Sequence, residues 1–307
     1  MTERALRIGT RDSALAMWQA RYVAGKLAAA GIPSVLIPVK SDGERDQTTP
    51  LYELGVEGIF TRALDAALLA GDIDLAVHSL KDVPTRLAEG LALVAVPPRG
   101  NWRDLLAQKD GDPARCERGE YTLATSSLRR RAQWLHRHPT HRVVPLRGNL
   151  QTRRDKLLRH DDWDGVIFAA AGVERIGLEL PKIVSLDWML PAPAQGALGL
   201  VARDGEAVMR KATAALHDEA TAACVHAERG VLRALMGGCS MPIAALAQWE
   251  TARQLRLRAS VLSLDGRERA AADMRFHETE IADAARRVAD AVLADGGQEI
   301  LEKIRGL

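Results

Sequence analysis

Basic side chains, in three cases together with Ser or Thr hydroxyls, occur at four places where a predicted strand is followed by a helix or a turn. The segments are GTRDS (9–13), HSLKD (78–82), TSSLRR (125–130) and RGN (147–149). Free backbone N–H groups at a helix start, together with Ser or Thr hydroxyls, bind carboxylate or phosphate, and the arginine fork contacts both oxygens of a carboxylate. The candidate anion-binding side chains are Arg11, Ser13, Thr125, Ser126, Ser127, Arg129, Arg130, Arg147 and Arg153.

Helix capping is the competing interpretation of each junction, because Ser13, Ser126 and Asn149 are all suitable N-caps without any ligand. Arginines at three junctions that face one cleft favour a polyanionic ligand instead. The sequence contains no G-x-x-x-x-G-K-[ST] segment and no strand-linked G-x-G-x-x-G segment. A nucleotide is therefore disfavoured, and a polycarboxylate is the predicted ligand.

Residues 128–160 form a basic region, with ten Arg or Lys residues and one acid, Asp155. A local positive field of this kind attracts anions. A solvated helix face would have the same composition, but these arginines recur at several junctions rather than along one face. RNA binding is a further alternative, and it lacks the interleaved aromatic residues of a stacking surface, since the region contains only Trp134.

The segment HSLKDVP (78–84) places Lys81 and Asp82 directly after a predicted strand. Among cations the aspartate is expected to stay ionised, where it could stabilise a developing positive charge or polarise an N–H group. The alternative is a surface turn that leads into Pro84. His78 is expected to be structural, because it has no evident base partner.

Cys239 follows two glycines in the predicted loop of the segment ALMGGCSMPIAAL. A metal site is disfavoured, because no His/Cys cluster accompanies this cysteine. A nucleophile would need a base, and the nearest histidine in sequence is His226, on a predicted helix. A point of covalent attachment and an ordinary surface thiol both stay open on the residues alone.

The other two cysteines suggest a reducing compartment. Cys224 is predicted in the core and Cys116 in an exposed loop. No C-x-x-C spacing occurs and the number of cysteines is odd, so neither a disulfide framework nor a zinc site is implied. The N-terminus has no apolar signal segment, and no stretch approaches the roughly 18 apolar residues of a membrane span. A cytoplasmic protein without membrane contact is expected.

Short apolar segments alternate with helical patterns, which is typical of mostly parallel, doubly wound α/β sheets. In the first part of the chain the predicted strands are 6–10, 34–40, 72–79 and 91–97, the helices are about 14–30 and 60–70, and 41–58 is a long loop. In the second part the predicted strands are 121–126, 142–146 and 165–171, and the helices are 127–138 and 149–160. Ligands of such sheets bind outside the carboxyl ends of the strands.

A third region with a different pattern begins near residue 216. It has a predicted helix over 218–236, strands over 254–264 and 273–278, and one or two C-terminal helices. Residues 97–104 are a predicted hinge, and 190–200 return toward the first domain. The predicted domains are 1–98 with 195–215 (first α/β lobe), 99–194 (second α/β lobe) and 216–307 (a small α+β domain).

Together these segments resemble the porphobilinogen deaminase (hydroxymethylbilane synthase) family of tetrapyrrole biosynthesis. The resemblance rests on segments found in family order along nearly the whole chain: RIGTRDSALAMWQA, DIDLAVHSLKDVP, ATSSLRRRAQWL, LRGNLQTR, LPAPAQGALGL and HAERGVLRALMGGCSMPI. It implies two doubly wound lobes like those of periplasmic binding proteins, joined by a hinge, plus the small α+β domain.

The resemblance also implies a chemistry and a cofactor. Four porphobilinogen molecules are condensed head to tail, each with loss of ammonia, on a dipyrromethane cofactor joined by a thioether to Cys239. Water then releases linear hydroxymethylbilane. A cytoplasmic monomer is implied, with porphobilinogen and the growing oligopyrrole as its ligands and with no metal, nucleic acid or membrane partner.

The resemblance assigns roles by motif position. Asp82 is implied to be the catalytic aspartate, which hydrogen-bonds pyrrole N–H groups and stabilises the azafulvenium formed when ammonia leaves. The implied cofactor-binding residues, besides Cys239, are Lys81, Thr125, Ser126, Ser127, Arg130, Arg153 and Gln195. The implied substrate-binding residues are Arg11, Ser13, Arg129, Arg147 and Arg175.

Three segments depart from the family pattern. Glu53 and Glu57 stand where loop lysines are usual, and Arg62 replaces another lysine. The segment PAPAQGA (191–197) replaces P-A-x-G-Q-G-[AC], and PIAALA (242–247) replaces P-[IVL]-[GA]-x-x-A. A non-catalytic anion-binding module is the competing function, and Cys239 discriminates the two because a pure binding protein needs no loop thiol.

Overall fold

The computed structural model describes residues 4–40, 61–109, 112, 114–235 and 241–306. The strands are β1 Leu6–Thr10, β2 Ser34–Pro38, β3 Leu75–Ser79, β4 Leu91–Ala95, β5 Asp104–Gln108, β6 Thr122–Ala124, β7 Arg142–Val144, β8 Gly165–Ala169, β9 Lys182–Ser185, β10 Leu198–Arg203, β11 Ile243–Thr251, β12 Gln254–Leu262 and β13 Arg269–His277. The α-helices are α1 Ala14–Ala29, α2 Arg62–Leu69, α3 Leu128–Arg137, α4 Leu150–Arg159, α5 Ala170–Ile176, α6 Ala207–Thr213, α7 Glu219–Ala234, α8 Ile281–Val292 and α9 Gln298–Arg305. No helix within these residues is long and apolar enough to cross a bilayer.

The chain divides into two compact units. Among the described residues, the first unit comprises those up to 40, 61–100 and 196–222, and the second comprises 101–195 and 223–306 with the gaps given above. The predicted boundary at residue 216, between the returning segment of the first lobe (195–215) and a third domain, stays a prediction.

The first unit is built on a five-stranded sheet with the order β2-β1-β3-β10-β4. Strand β10 runs antiparallel to both of its neighbours, and the other strands are parallel to one another. One face packs through Ile8 and Val77 against Leu27 of α1, and the other packs through Ala76 against Leu64 of α2. Burial of both faces explains why these strands read as apolar runs rather than as alternating patterns.

The second unit contains a sheet with the corresponding order, β7-β6-β8-β5-β9, in which β5 is the antiparallel strand. Its two faces are covered by separate apolar clusters, one that contains Val166 and Phe168 and one that contains Ile167 and Trp134. The predicted α/β class is therefore confirmed for both sheets.

The second unit also contains the antiparallel sheet β11-β12-β13. Leu255, Leu257 and Val261 alternate along β12 and face the core formed with α7 and α8, which contribute Val231 and Val288. The predicted small α+β region is confirmed, and β11 is an additional strand that the sequence did not predict.

Three further strands were not predicted. Residues 97–104 were expected to be a hinge; the two units divide between Gly100 and Asn101 within this segment, and the hinge itself stays a prediction. Asp104, the last residue of the segment, begins β5, which pairs with β8 and β9. β9 was not predicted. β10 was not predicted either, and it begins at Leu198, near the end of the segment 190–200 that was expected to cross back to the first lobe. β5 and β10 run antiparallel to their neighbours in the two sheets. Neither belongs to the alternation of strand and helix along the chain on which the other predictions relied, so both were missed.

The two described cysteines are both buried. Cys224 packs in the core beside α8, as predicted. Cys116 was expected to be exposed, and this expectation is wrong, because its short 3₁₀ turn packs the thiol against Tyr121 and Trp134 at 5% exposure. Burial raises the pKa of the Cys116 thiol.

Candidate functional site

Two polar segments of the first unit lie at one edge of its sheet. Strands β1 and β3 are parallel neighbours, so Arg11, which follows β1, and Asp82, which follows β3, both lie beyond the carboxyl ends of adjacent strands. The sequence predicted both placements. Ligands of open α/β sheets bind at this edge.

Ser13 is a helix cap, as the alternative interpretation expected. Its hydroxyl accepts a hydrogen bond from the N–H of Ala16 at 3.3 Å, and its backbone is extended where α1 begins. A capping hydroxyl satisfies one of the free N–H groups of the helix. Ser13 is thus held in place by the helix whether or not it also contacts a ligand.

A single 3₁₀ turn, Leu80–Asp82, carries the two candidate residues Lys81 and Asp82. The turn is anchored at its start by two hydrogen bonds: Leu80 donates its N–H to Ala197 O at 3.0 Å, and the Ser79 hydroxyl accepts from Gln19 Nε2 at 2.7 Å. Lys81 and Asp82 are half-buried. The turn therefore presents a carboxylate and an ammonium group from a fixed backbone at the end of β3.

His78 lies within β3 and is buried. Burial, and secondarily the charge of Arg11, lower the pKa of His78 to about 4. Its Nε2 atom has no hydrogen-bond partner among the described residues. A ring that stays neutral near pH 7 fits the structural role expected of this histidine.

The serines after β6 have divided roles in the second unit. Ser127, not Ser126, caps α3 by accepting from the N–H of Arg130 at 3.4 Å, so the expectation of a Ser126 cap is wrong. Ser126 instead accepts from Leu146 N at 2.9 Å, and Thr125 accepts from Ser127 N at 3.2 Å. The difference arises because α3 begins one residue later than a Ser126 cap would require.

The turn between β7 and α4 is stabilised by hydrogen bonds that involve side chains of its own residues and of α4. Asn149 caps α4 by accepting from Thr152 N at 2.8 Å, as the capping interpretation predicted. Gly148 has φ 115°, and a Cβ there would lie 2.6 Å from the Thr152 side chain, so only glycine fits. Arg153 donates from Nε to Gly148 O at 2.8 Å, which holds its guanidinium over the same turn that carries Arg147.

A buried polar cluster joins three of the predicted ligand-binding residues. The Asp104 carboxylate at the start of β5 forms an ion pair with Arg129 at 2.8 Å, and its Oδ1 accepts from Arg130 at 2.7 Å and from Gln195 Nε2 at 3.0 Å. All four side chains are at most 6% exposed. The structure therefore gathers Arg129, Arg130 and Gln195 around one carboxylate, and the sequence analysis did not single out Asp104.

The remaining terminal nitrogens of the two arginines bind the backbone. Arg129 Nη1 donates to Leu190 O at 2.7 Å, and Arg130 Nη1 donates to Ile167 O at 2.8 Å. Each Nε atom is buried without a hydrogen-bond partner among the described residues. Burial lowers the pKa of Arg129, and Asp104 opposes this effect. Two guanidinium groups around one carboxylate leave an excess positive charge, which suits an anionic ligand.

A second buried carboxylate was also missed. Glu228 of α7 is fully buried and accepts from Ala194 N at 2.6 Å and from Ala247 N at 2.8 Å. Ala194 has φ 61°, in the left-handed region that favours glycine, at a position where the family pattern has glycine. Glu228 thus links two elements: the segment that contains Gln195, through Ala194, and the antiparallel sheet, through Ala247 of β11. No local signal marks this glutamate, since its partners are 34 and 19 residues away.

Arg175 lies half-buried in the last turn of α5, which ends at Gly177 in a left-handed conformation. Cys239, Glu53 and Glu57 lie outside the described residues, and Arg62 is the first residue of α2. Within the described part of the chain, no group of three or more His, Cys, Asp or Glu residues is arranged to hold a metal ion.

Two family models match this chain. Residues 6–211 match "Porphobilinogen deaminase, dipyromethane cofactor binding domain", and residues 222–294 match "Porphobilinogen deaminase, C-terminal domain". Curated proteins named porphobilinogen deaminase are similar over most of their length. The protein from Rubrobacter xylanophilus is 42% identical over 303 residues, which is 98% of each chain, and that from Syntrophotalea carbinolica is 46% identical over 80% of this chain and 79% of its own.

Solved structures are more distant. A periplasmic substrate-binding protein of an ABC transporter from Coxiella burnetii aligns with a TM-score of 0.44 at 13% identity, over 71% of this chain and 94% of its own. The periplasmic VFT2 domain of Bordetella pertussis BvgS aligns with a TM-score of 0.41 at 16% identity, over 69% and 86%. Scores this low do not establish a shared fold.

Proposed function

Because the chain belongs to the porphobilinogen deaminase family, we propose that it catalyses the hydroxymethylbilane synthase reaction with the residues described above. Four porphobilinogen molecules are joined head to tail with loss of one ammonia per condensation, and water releases the linear product. The observation that carries the proposal is the match of both family models across nearly the whole chain, with Asp82 on an anchored turn at the carboxyl end of β3.

The described residues fit the carboxylates of a dipyrromethane cofactor. The unpartnered Nε donor of Arg130 and the excess positive charge around Asp104 both favour an added anion. The cofactor, when bound, supplies the primer that the substrate units extend. The residues proposed to hold it are Cys239, through a thioether, and Lys81, Thr125, Ser126, Ser127, Arg130, Arg153 and Gln195.

Asp82 is proposed to do the electrostatic work of the reaction. Its carboxylate accepts hydrogen bonds from pyrrole N–H groups and stabilises the positive charge that develops on porphobilinogen as ammonia leaves. A preorganised charge needs no reorganisation at the moment of reaction, so it lowers the barrier more than a mobile one. The anchored turn Leu80–Asp82 supports this role, because its backbone is held by β10.

The substrate carboxylates are proposed to bind arginines. Each porphobilinogen carries an acetate and a propionate, so the growing product gains two negative charges per unit. The proposed partners are Arg11, Ser13, Arg129, Arg147 and Arg175. For Arg129, whose terminal nitrogens already bind Asp104 and Leu190, a substrate carboxylate would approach Nε or exchange with Asp104.

The variant Asp82→Asn tests the role of Asp82. It should keep the covalent cofactor, seen as unchanged intact mass, and lose about 10²–10³-fold in kcat, the usual cost of removing one charge-stabilising group. The matched control is Glu89→Gln, which neutralises an exposed carboxylate in the same unit and should leave kcat unchanged. Near-normal product formation by Asp82→Asn would refute the charge-stabilising role.

We also propose that the enzyme is a cytoplasmic monomer. Family resemblance and the absence of paired cysteine spacing in the sequence support this assignment. Light scattering of the purified protein should give a mass near 33.4 kDa. A mass of twice that value or more would overturn the monomer.

A further inference from the structure

The second unit holds a cavity of about 520 Å³ between helix α3 and the antiparallel sheet. Gln133 and Arg137 line it from α3, Trp188 lines it from the segment after β9, and Arg258 and Arg269 line it from the sheet. A volume of this size is typical of small-molecule sites, which run from about 300 to 1,000 Å³. None of these five residues has a role in the proposed reaction.

Two contacts fix elements that line the cavity. Gly266, in the turn between β12 and β13, packs on the backbone of α3, where a Cβ would lie 2.5 Å from the N atom of the lining residue His136. The His136 Nδ1 atom lies 2.8 Å from Gly266 O. Next to the lining residue Leu190, Pro191 O accepts from Ala245 N of β11 at 3.2 Å. A preformed frame lowers the entropic cost of binding a ligand.

The wall of the cavity is positively charged. Arg137, Arg258 and Arg269 face it, with Asp273 as the lining carboxylate. Both oxygens of Asp273 already accept from Arg256, one of them at 2.7 Å. The negative charge of Asp273 is therefore neutralised by a residue outside the lining. Arg137 is likewise paired with Glu117 at 3.2 Å, so Arg258 and Arg269 supply the local positive field.

Arg258 has unused hydrogen-bonding capacity. It is half-buried, its Nη2 donates to Gln248 at 3.0 Å, and its Nε is buried without a partner among the described residues. Burial, followed by the neighbouring charge of Arg256, lowers the pKa of Arg258. A carboxylate in the cavity beside Arg258 would oppose the effect of Arg256, because it adds an opposite charge next to the guanidinium group.

Trp188 supplies a flat apolar ring to the wall beside these charges. The guanidinium carbon of Arg137 lies 5.0 Å from the centroid of its ring. We propose that this cavity is a binding site for a small polycarboxylate with a flat ring, which packs against Trp188 while its carboxylates bind Arg258 and Arg269. The site is separate from the residues assigned to the condensation reaction.

The cavity wall is also connected to one proposed substrate-binding residue. Gln133 forms two hydrogen bonds with Leu190: its Nε2 donates to Leu190 O at 2.9 Å, and its Oε1 accepts from Leu190 N at 2.8 Å. The same Leu190 O accepts from Arg129 at 2.7 Å. A ligand that moves Gln133 would therefore move Arg129, and the site would act as a regulatory one. This regulatory role rests on the proposed function, whereas the binding site does not.

Benzene-1,3,5-tricarboxylate is the probe, with isothermal titration calorimetry on the full holoenzyme as the measurement. Loss of a charged hydrogen-bond partner commonly costs a factor of ten or more, so Arg258→Gln/Arg269→Gln should weaken binding by at least about tenfold. Arg269→Gln alone, at an exposed position, should weaken binding without disturbing the fold. The neutral analogue 1,3,5-benzenetrimethanol should not bind.

The matched control is Arg275→Gln, on the same strand as Arg269 but outside the cavity lining, where Arg275 pairs with Glu250. It should bind the probe as the wild type does. The binding site is overturned by equal affinities of the wild type and the double variant, by the same loss of affinity in Arg275→Gln, or by no saturable binding to the wild type.

The regulatory role is tested by the KM for porphobilinogen. The probe should change this KM in the wild type and not in Arg269→Gln. The same change in both proteins, or no change in either, overturns the regulatory role.

Discussion

Asp104→Asn is the substitution for which the structure gives the largest expected effect. Asp104 is fully buried, and the two arginines that bind it are each 5% exposed. Asparagine keeps the size and one acceptor oxygen but removes the charge, which leaves two buried guanidinium groups without a counter-ion. Breaking a buried ion pair in this way costs about 3–5 kcal/mol. This is a large share of the stability of a typical protein, about 5–15 kcal/mol.

A change of this size is measurable as a fall in Tm. At roughly 2–4 °C per kcal/mol for chains of this order of length, the expected fall is about 6–20 °C. Circular dichroism melts of wild type and variant, at the same pH and salt, provide the assay. The double variant Asp104→Asn/Arg129→Gln should recover part of the loss, because it removes one of the two uncompensated charges.

The control for this prediction is Asp187→Asn. Asp187 binds Arg103 at 2.6 Å, a distance as short as those at Asp104, but the two side chains are 69% and 43% exposed. Exposed pairs are screened by water and contribute little, so Tm should hardly change. A small loss in Asp104→Asn, or an equal loss in the two variants, would refute the reasoning that burial sets the cost.

Three further predictions follow from buried groups and close contacts. The pKa of His78 is about 4 in the fold and about 6.5 when unfolded, so the unfolded chain binds the proton more tightly. The contribution of neutral His78 to the free energy of unfolding is therefore fully present above about pH 6.5. It is lost as the pH falls toward 4, which lowers the free energy of unfolding by up to about 3 kcal/mol. In urea unfolding, His78→Gln should therefore lose less stability than the wild type between pH 7 and 4, and equal losses would contradict this account. Gly266→Ala should lower Tm more than Gly205→Ala: both glycines have φ near 75°, but only at Gly266 would the new Cβ meet backbone within 3 Å, so equal falls would count against the contact with α3. The Cys116 thiol should react slowly with Ellman's reagent in native protein and fast after unfolding, because it is buried and its pKa is raised; fast native reaction of this cysteine, identified by peptide mapping, would exclude its burial.

The sequence predicted those elements whose signal is local. β1 and the cap of α1 were predictable because an apolar run ends next to Ser13 and a 3.6-residue periodicity follows. The turn with Lys81 and Asp82 was predictable for the same reason, since it directly follows the apolar strand β3.

The buried Asp104 cluster was not predictable in this way. Gln195 is 91 residues from Asp104, and β5 belongs to its sheet only through pairing with β8 and β9, far along the chain. Its segment begins among Pro, Gly and Asn, which are typical of a break between elements. The cap of α3 was predicted at Ser126 instead of Ser127 because a cap depends on the exact residue at which the helix starts, and sequence patterns do not locate helix ends to within one residue.

On the proposed mechanism, Cys239 carries a dipyrromethane primer for the condensation. Intact mass spectrometry of freshly prepared protein, expressed with porphobilinogen supplied, tests it most directly, with Cys239→Ser and Cys116→Ser compared in parallel. We predict an adduct of two pyrrole units on the wild type and on Cys116→Ser, and none on Cys239→Ser. An unmodified wild type, or an adduct that persists in Cys239→Ser, would contradict the account.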